Sequence, residues 1–316
     1  MMDRNILVTG GLGFIGKNFC VLNSDRYKSK FILDKVTYAS DLDLYHEVLK
    51  PAGWVLIVSD IVEINKVDYL RKIENLTVVN FAAESHVDAS FENSDLFYQS
   101  NVFGALRTSE FCLANNNSLL HISTDEVYGE QVSDKASEED PLTPTNPYSA
   151  AKAAADLLVQ TYIKCFNLNA KILRPTNVYG PKQLNEKVIP KAIDAALNNE
   201  QFFIHGYKDL ARHFLHVNDL SQGIQKVLDN WNEDTHTIYN ISGAYAVKIR
   251  DLVEFIYKFY DRDLGLIAVT DDRPFNDAMY NINDKKIRNL GWLPQEDFWN
   301  NIEFLCLNAS FIRRSF

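Results

Sequence analysis

The run Leu119-Leu120-His121-Ile122-Ser123-Thr124-Asp125-Glu126-Val127-Tyr128-Gly129 reads as a buried strand that breaks off in a hydroxyl and two adjacent carboxylates. Further along stand Tyr148 and Lys152, whose i, i+4 spacing puts them side by side on one helix face. A hydroxyl, a phenol and an ammonium are the parts needed to oxidise an alcohol. The carboxylate pair adds a neighbouring proton acceptor and donor, which loss of water beside a new carbonyl requires. Two close carboxylates push their pKa values apart, so that one can stay protonated.

These groups need a scaffold that holds them at one place. Apolar runs at Asn5–Thr9, Phe31–Asp34, Trp54–Val58, Thr77–Phe81, Leu119–Thr124 and Lys171–Arg174 read as strands. Helical patterns lie between them, at Phe14–Leu22, Leu96–Asn115 and Pro147–Phe166. Continuous apolar strands alternating with helices predict a parallel sheet covered on both faces, a doubly wound α/β fold of Rossmann type. Residues 129–147, polar and rich in proline, read as a loop over the active site. Beyond Gly180 the rhythm loosens into a helix at Asn185–Asn198 and a short strand at Gln201–Ile204, and a smaller C-terminal α/β substrate-binding domain is expected there. A further helix over Asp219–Trp231 is expected to return to the first domain.

Between the first strand and helix lies Thr9-Gly10-Gly11-Leu12-Gly13-Phe14-Ile15-Gly16. Its glycines allow a tight turn and close approach of backbone to a pyrophosphate, and the helix start offers free N–H groups. Asp34, at the end of the second strand, stands where a carboxylate holds the ribose hydroxyls of NAD and repels the extra phosphate of NADP. Two rival readings are a P-loop ending in Lys17, which lacks the needed hydroxyl because Asn18 follows, and a glycine turn with no ligand. With a dinucleotide nearby, Tyr148 becomes a candidate base. A free tyrosine titrates near about 10 and must fall by about 3, worth roughly 4 kcal/mol, to act near neutrality. A nearby ammonium and a cationic nicotinamide are the groups able to lower it.

Composition fits this reading. The chain has 316 residues, of which 46% are hydrophobic and 23% charged, with a net charge of -10. That charge argues against a general nucleic-acid binder. No apolar run is long enough to span a membrane, and Met1–Asn5 leads directly into a strand without a signal-peptide pattern, so a cytoplasmic protein is expected. Cys20, Cys112, Cys165 and Cys306 are scattered and read as buried thiols in a reducing compartment. His213 and His216 have near-ligand spacing but no further ligand beside them, so no metal site is expected.

Taken as a set, the motifs resemble the extended short-chain dehydrogenases, and among them the nucleotide-sugar 4,6-dehydratases of the dTDP-glucose type. Phe81-Ala82-Ala83-Glu84-Ser85-His86-Val87-Asp88 is similar to that group's AAESHVD segment, Ser123–Gly129 to STDEVYG, and Tyr148–Lys152 to YSASK. Asn177-Val178-Tyr179-Gly180-Pro181 with Glu186–Pro190 resembles NNYGP…EKLIP, and Asp272-Arg273-Pro274 a late DRP. The resemblance implies an NAD-dependent reaction. The sugar is oxidised at C4 while Tyr148, helped by Thr124, takes the hydroxyl proton. Glu126 removes the C5 proton, Asp125 protonates the departing C6 hydroxyl, and the hydride returns to C6. It further implies cofactor contacts from Gly10, Gly13, Phe14, Ile15, Gly16, Asp34 and Lys35, from Asp60, Ile61, Ala82 and Ala83, and from Tyr148 and Lys152. Substrate contacts are implied for Ser85, Asn177, Glu186, Lys187, Arg212, Arg273 and Tyr280. A homodimer through a four-helix bundle of the Leu96–Asn115 and Pro147–Phe166 helices is also implied. On this reading residues 1–178 carry NAD and the catalytic groups, with a return of the chain around 215–240, and residues 179–316 mainly bind the nucleotide sugar.

The chain departs from the group at Ala89, at Phe275-Asn276-Asp277, at Met279 and at Arg212-His213-Phe214. The substrate is therefore left open among dTDP-glucose, UDP-glucose and UDP-N-acetylglucosamine. A 4-epimerase or decarboxylase on the same scaffold and a non-catalytic NAD-binding regulator are the alternatives.

Overall fold

The computed structural model describes residues 4–131, 135–206, 210–270 and 277–309. Twelve strands are formed among them: β1 (Asn5–Thr9), β2 (Ser29–Asp34), β3 (Trp54–Val58), β4 (Leu76–Asn80), β5 (Ser118–Ile122), β6 (Ala170–Pro175), β7 (Asn177–Tyr179), β8 (Phe202–His205), β9 (Ala211–His216), β10 (Ile238–Ile241), β11 (Ala246–Lys248) and β12 (Ile267–Thr270). Seven of them form the central sheet in the order β3-β2-β1-β4-β5-β6-β10, every neighbouring pair parallel. The order reverses beside β1, which opens a crevice at the carboxyl ends of the strands. The smaller sheets are β11-β9-β7 and β12-β8.

Both faces of the sheet are buried, as its unbroken apolar strands require. Along β1, Ile6 and Val8 join one cluster with Phe19, Leu220, Ile224 and Trp292, whereas Leu7 joins the opposite one with Phe31, Phe111, Leu119 and Val159. Each such fully buried side chain contributes roughly 1.5–3 kcal/mol. Helix α1 (Phe14–Leu22) and helix α2 (Gly104–Ala114) lie on these opposite faces. The helix expected at 96–115 runs on from Ser94, with wide π turns over Tyr98–Phe103 that sequence periodicity does not reveal. Helix α3 (Pro147–Phe166) coincides with its expected bounds. Helix α4 (Val188–Leu197) begins a few residues later than expected, and helix α5 (Val217–Asp229) two residues earlier. After α5, which packs on α1, the chain adds β10 as an edge strand of the main sheet. A separate apolar cluster joins α4 to helix α6 (Ile249–Phe259) and helix α7 (Phe298–Leu307), with Tyr179, Phe214 and Phe298 at its centre. The four cysteines are free, and Cys165, expected to be buried, is exposed on the last turn of α3.

One buried ion pair ties β6, α3 and the Tyr128 segment together. Arg174 on β6 and Asp156 on α3 are both fully enclosed and bind bidentately, at 2.9 and 2.8 Å. The same guanidinium donates to the Tyr128 hydroxyl, which in turn bonds Asn240 on β10. Burial pushes the Asp156 carboxyl up, but the hydrogen bonds and charge of Arg174 outweigh it and hold it below the ordinary range. Removing one partner strands the other without water. Arg174→Met should therefore lower unfolding free energy by about 3–5 kcal/mol in urea titrations, whereas exchanging both partners for apolar residues should cost much less.

Candidate active site

The loops that follow β1, β2, β4, β5 and β6 converge on a cleft of about 490 Å³. At one end the glycine turn packs against the segment after β4. Gly10 has φ +64, and a Cβ there would lie 2.8 Å from the Ala82 backbone; at Gly16 it would lie 2.3 Å from the Gly10 carbonyl oxygen. No side chain caps α1, so its first N–H groups are open to an anion. Gly13, Phe14 and Ile15 line this part of the cleft with Gly10 and Gly16. Asp34 also lines it, accepting from Leu12 N at 3.0 Å and from Val36 N and Ser40 Oγ at 2.9 Å each. A carboxylate has about four acceptor sites, which leaves room for a ribose hydroxyl. Bare glycine backbone, an uncapped helix start and a partly engaged carboxylate fit a dinucleotide.

Most of the expected cofactor residues meet here. Lys35, Ile61, Ala82 and Ala83 line the cleft, with Lys35 paired to Glu84 at 2.9 Å. Asp60 does not line it: its carboxylate turns onto Val62 N at 3.1 Å and caps the short helix Ile61–Lys66. Lys17 is buried behind the turn and paired with Asp41 at 3.1 Å, outside the cleft, which removes the P-loop reading.

Where β5 ends, Thr124 caps a single 3₁₀ turn, Asp125–Tyr128, through its hydroxyl, which accepts from Glu126 N at 3.3 Å. Both acids are enclosed, Asp125 with 1% of its surface exposed and Glu126 with 8%. Burial first, and then the neighbouring Glu126 charge, push Asp125 up to about 8, so it holds a proton at neutrality. Glu126 is also raised by burial, while Arg212, Lys187 and a hydrogen bond from Asn146 favour its charged form. Its Oε2 is buried without a protein partner, a free acceptor beside the cleft. Thr124 and Glu126 line the cleft; Asp125 does not, and its Oδ1 accepts from the Thr124 hydroxyl at 3.2 Å.

Helix α3 brings the phenol. Asn146 and Ser149 form a capping box around Pro147, each side chain bonding the other's backbone, which fixes the start of the helix. Tyr148 and Lys152 then both line the cleft. The edge of the Phe97 ring packs on Tyr148 at 6.4 Å between centroids. Lys152 Nζ donates to the Ile122 carbonyl at 2.7 Å, and burial lowers it to about 8. Burial and the Glu126 charge raise the Tyr148 phenol, with a Thr124 hydrogen bond opposing them. The expected lowering by the neighbouring ammonium is thus not a property of the protein alone, because Lys152 is directed at the strand end. His121 is neutral in this core, its value lowered by burial and by the Lys152 charge to about 3.

The expected substrate residues fall at the other end. Ser85, Asn177, Glu186 and Lys187 line the cleft, with Lys187 Nζ donating to the Ser85 carbonyl at 2.7 Å. Tyr38 bonds Glu186 across the opening at 3.2 Å. Arg212 stacks on the Tyr280 ring at 4.9 Å, and both line the cleft. Arg273 lies outside the described residues. Asn146 and Phe97 were not singled out from sequence, and Asp277 was named only within the departing segment Phe275-Asn276-Asp277, not as a site residue. The Asn-Pro pair opening α3 was a readable signal for the first, but no local pattern marked the other two. Among the described residues no cluster fit for a metal occurs.

Residues 7–303 match the family model for GDP-mannose 4,6 dehydratase. The chain belongs to this family. Within it, the chain is 37% identical over 299 residues to a trifunctional UDP-glucose 4,6-dehydratase/3,5-epimerase/reductase of Arabidopsis thaliana, covering 92% of this chain but only 44% of that protein. It is 38% identical to a low-salt glycan biosynthesis protein of Haloferax volcanii, covering 95% and 96% of the two chains. The fold superposes on a dTDP-glucose 4,6-dehydratase of Streptomyces venezuelae solved with NAD, with a TM-score of 0.91, 29% identity, and coverage of 99% and 100%. The seven-stranded Rossmann-type sheet is therefore of the kind found in that solved structure. In this fold, Gly16→Ala cannot close the β1–α1 turn, because its Cβ would meet the Gly10 carbonyl oxygen. Dinucleotide released from the denatured variant, measured by absorbance, should fall by about tenfold or more, a loss of at least about 1.4 kcal/mol in binding.

Proposed function

We propose that the chain is an NAD-dependent nucleotide-hexose 4,6-dehydratase, taking UDP- or dTDP-glucose or a close analogue to the 4-keto-6-deoxy sugar. The observation that carries this is the enclosed pair Asp125–Glu126 beside Tyr148, with Glu126 Oε2 lacking a protein partner; burial and the neighbouring charge favour the protonated form of Asp125. NAD, held by the Gly10–Gly16 turn and Asp34, would supply the hydride acceptor for C4 and the hydride donor for C6. Tyr148, bonded to Thr124, would receive the C4 hydroxyl proton as the phenolate, the form that a cationic nicotinamide beside it favours. The resulting ketone acidifies the C5 hydrogen, which Glu126 removes. Asp125 gives its proton to the C6 hydroxyl, which leaves as water, and as C6 gains the hydride C5 regains a proton from Glu126, which exchanges with solvent. Lys187, Arg212 and Arg273 are proposed to meet the diphosphate, with residues 179–316 supplying most nucleotide-sugar contacts. A 4-epimerase needs no enclosed acid pair, which favours the dehydratase. No described helix is long and apolar enough to cross a membrane. A homodimer is proposed through α3 and the 94–114 helix, supported by exposed Leu96, Phe103, Leu157 and Phe166 along them.

An Asp125→Ala/Glu126→Ala variant mixed with the nucleotide sugar should reduce its bound cofactor, seen as absorbance of the reduced nicotinamide, and form product about 10²–10⁴-fold more slowly. Normal 6-deoxy product from that variant would reject these roles. The pH dependence has a definite sign. Asp125 must be protonated, so kcat should fall as pH rises through about 8. Glu126 must be ionised, so the acid limb should lie above about 4.3, the ordinary glutamate value. Both limbs describe the coupled pair and are read from kcat against pH.

A further inference from the structure

Asp277 has no role in the scheme so far, yet it is 1% exposed and lines the cleft. Its Oδ2 accepts from the Thr145 hydroxyl at 2.6 Å and from the Tyr280 hydroxyl at 2.5 Å, while Oδ1 is buried without a protein partner. Thr145 directly precedes Asn146, the cap of α3, whose side chain also bonds Glu126. On the other side, Arg212 donates to the carbonyls of Asp277 and Ala278, at 2.9 and 3.0 Å, and stacks on Tyr280. The segment is further laced to the loop over the cleft by Ala278 N to Glu130 Oε1 and by Gln131 N to the Met279 carbonyl. A single carboxylate therefore joins the start of the catalytic helix to the segment that anchors Arg212.

We propose that Asp277 is a positioning residue for C5 proton removal: it latches the α3 cap to the Arg212–Tyr280 unit and fixes the place and the charge environment of the Glu126 carboxylate between them. This rests on the dehydratase reading. Glu126 is faced by Asp125 from its own turn, by Asn146 and Tyr148 from α3, by Arg212 from β9, by Lys187 from the start of α4, and by Asp277 and Tyr280 from the latch. In this set Asp277 opposes the two cations that favour the ionised form of Glu126. A like charge kept close makes the carboxylate a stronger base.

Asp277→Asn retains an acceptor for Thr145 but removes the charge. Steady-state kinetics in deuterated water, with deuterium entry at C5 followed by NMR, should show kcat and C5 labelling falling together by about tenfold at a KM within about threefold of wild type. The acid limb of kcat should also move to lower pH. Thr145→Val removes a latch donor and keeps the charge, so it should lower kcat several-fold and leave the acid limb in place. This second variant decides the matter if Asp277→Asn does not fold. Wild-type kcat and an unmoved acid limb in Asp277→Asn would overturn the inference, as would a raised KM with unchanged kcat. Should the wild-type enzyme itself form no 4-keto-6-deoxy sugar, the dehydratase reading fails; normal wild-type turnover with unaffected variants fails the latch alone.

Discussion

Enclosing two neighbouring carboxylates is the constraint on which this site depends. In water Asp125 and Glu126 would both ionise, and neither could serve as an acid. Taken out of water at the end of β5, they compete for charge, and burial with the neighbouring anion lifts Asp125 to about 8. Glu126, though also raised by burial, has Arg212, Lys187 and Asn146 on its side of the pair. In the proposed reaction, the division of labour between acid and base is set by the surroundings, because the two side chains are chemically almost alike.

Such an arrangement is unfavourable unless its neighbours are rigid. The 3₁₀ turn that carries the pair is held from behind, where Tyr128 bonds Arg174 and Asn240, and Arg174 in turn holds Asp156 on α3. That same helix carries Tyr148 and Lys152 and is started by the Asn146–Ser149 capping box. The charged groups that remain enclosed are paired or hydrogen-bonded, as they must be when water is excluded. The parallel sheet sets the stage for all of this, because it delivers the ends of β1, β2, β4, β5 and β6 to one crevice.

Much of this was legible in the sequence, for local reasons. Strands such as Asn5–Thr9 and Trp54–Val58 are short apolar runs with turns at both ends, and they fall where expected. Helix α3 matches its expected bounds because a capped Asn-Pro opens it and a residue in the left-handed conformation, Asn167, closes it. The acids, the phenol and the glycine turn lie in contiguous motifs. What stayed hidden depends on partners distant in sequence. Thr145 meets Asp277, and Arg174 meets Asp156 and Tyr128, only once the sheet has formed. Strand β10 has four residues and belongs to the sheet because β6 offers it an edge. The direction of Lys152, toward the Ile122 carbonyl, is likewise fixed by the packing of α3 on β5. The family resemblance implied Asp60 as a cofactor contact, but a free N–H at the start of the next helical turn claims it.

The central claim is that one site oxidises C4, eliminates across C5 and C6, and returns the same hydride to C6. Nucleotide-linked glucose carrying deuterium at C4, turned over in ordinary water and examined by NMR, tests it most directly. The account predicts a 6-deoxy-4-keto sugar whose methyl group carries the deuterium that began at C4. Recovery of the label at C4 of a hexose that still bears its C6 hydroxyl would contradict it.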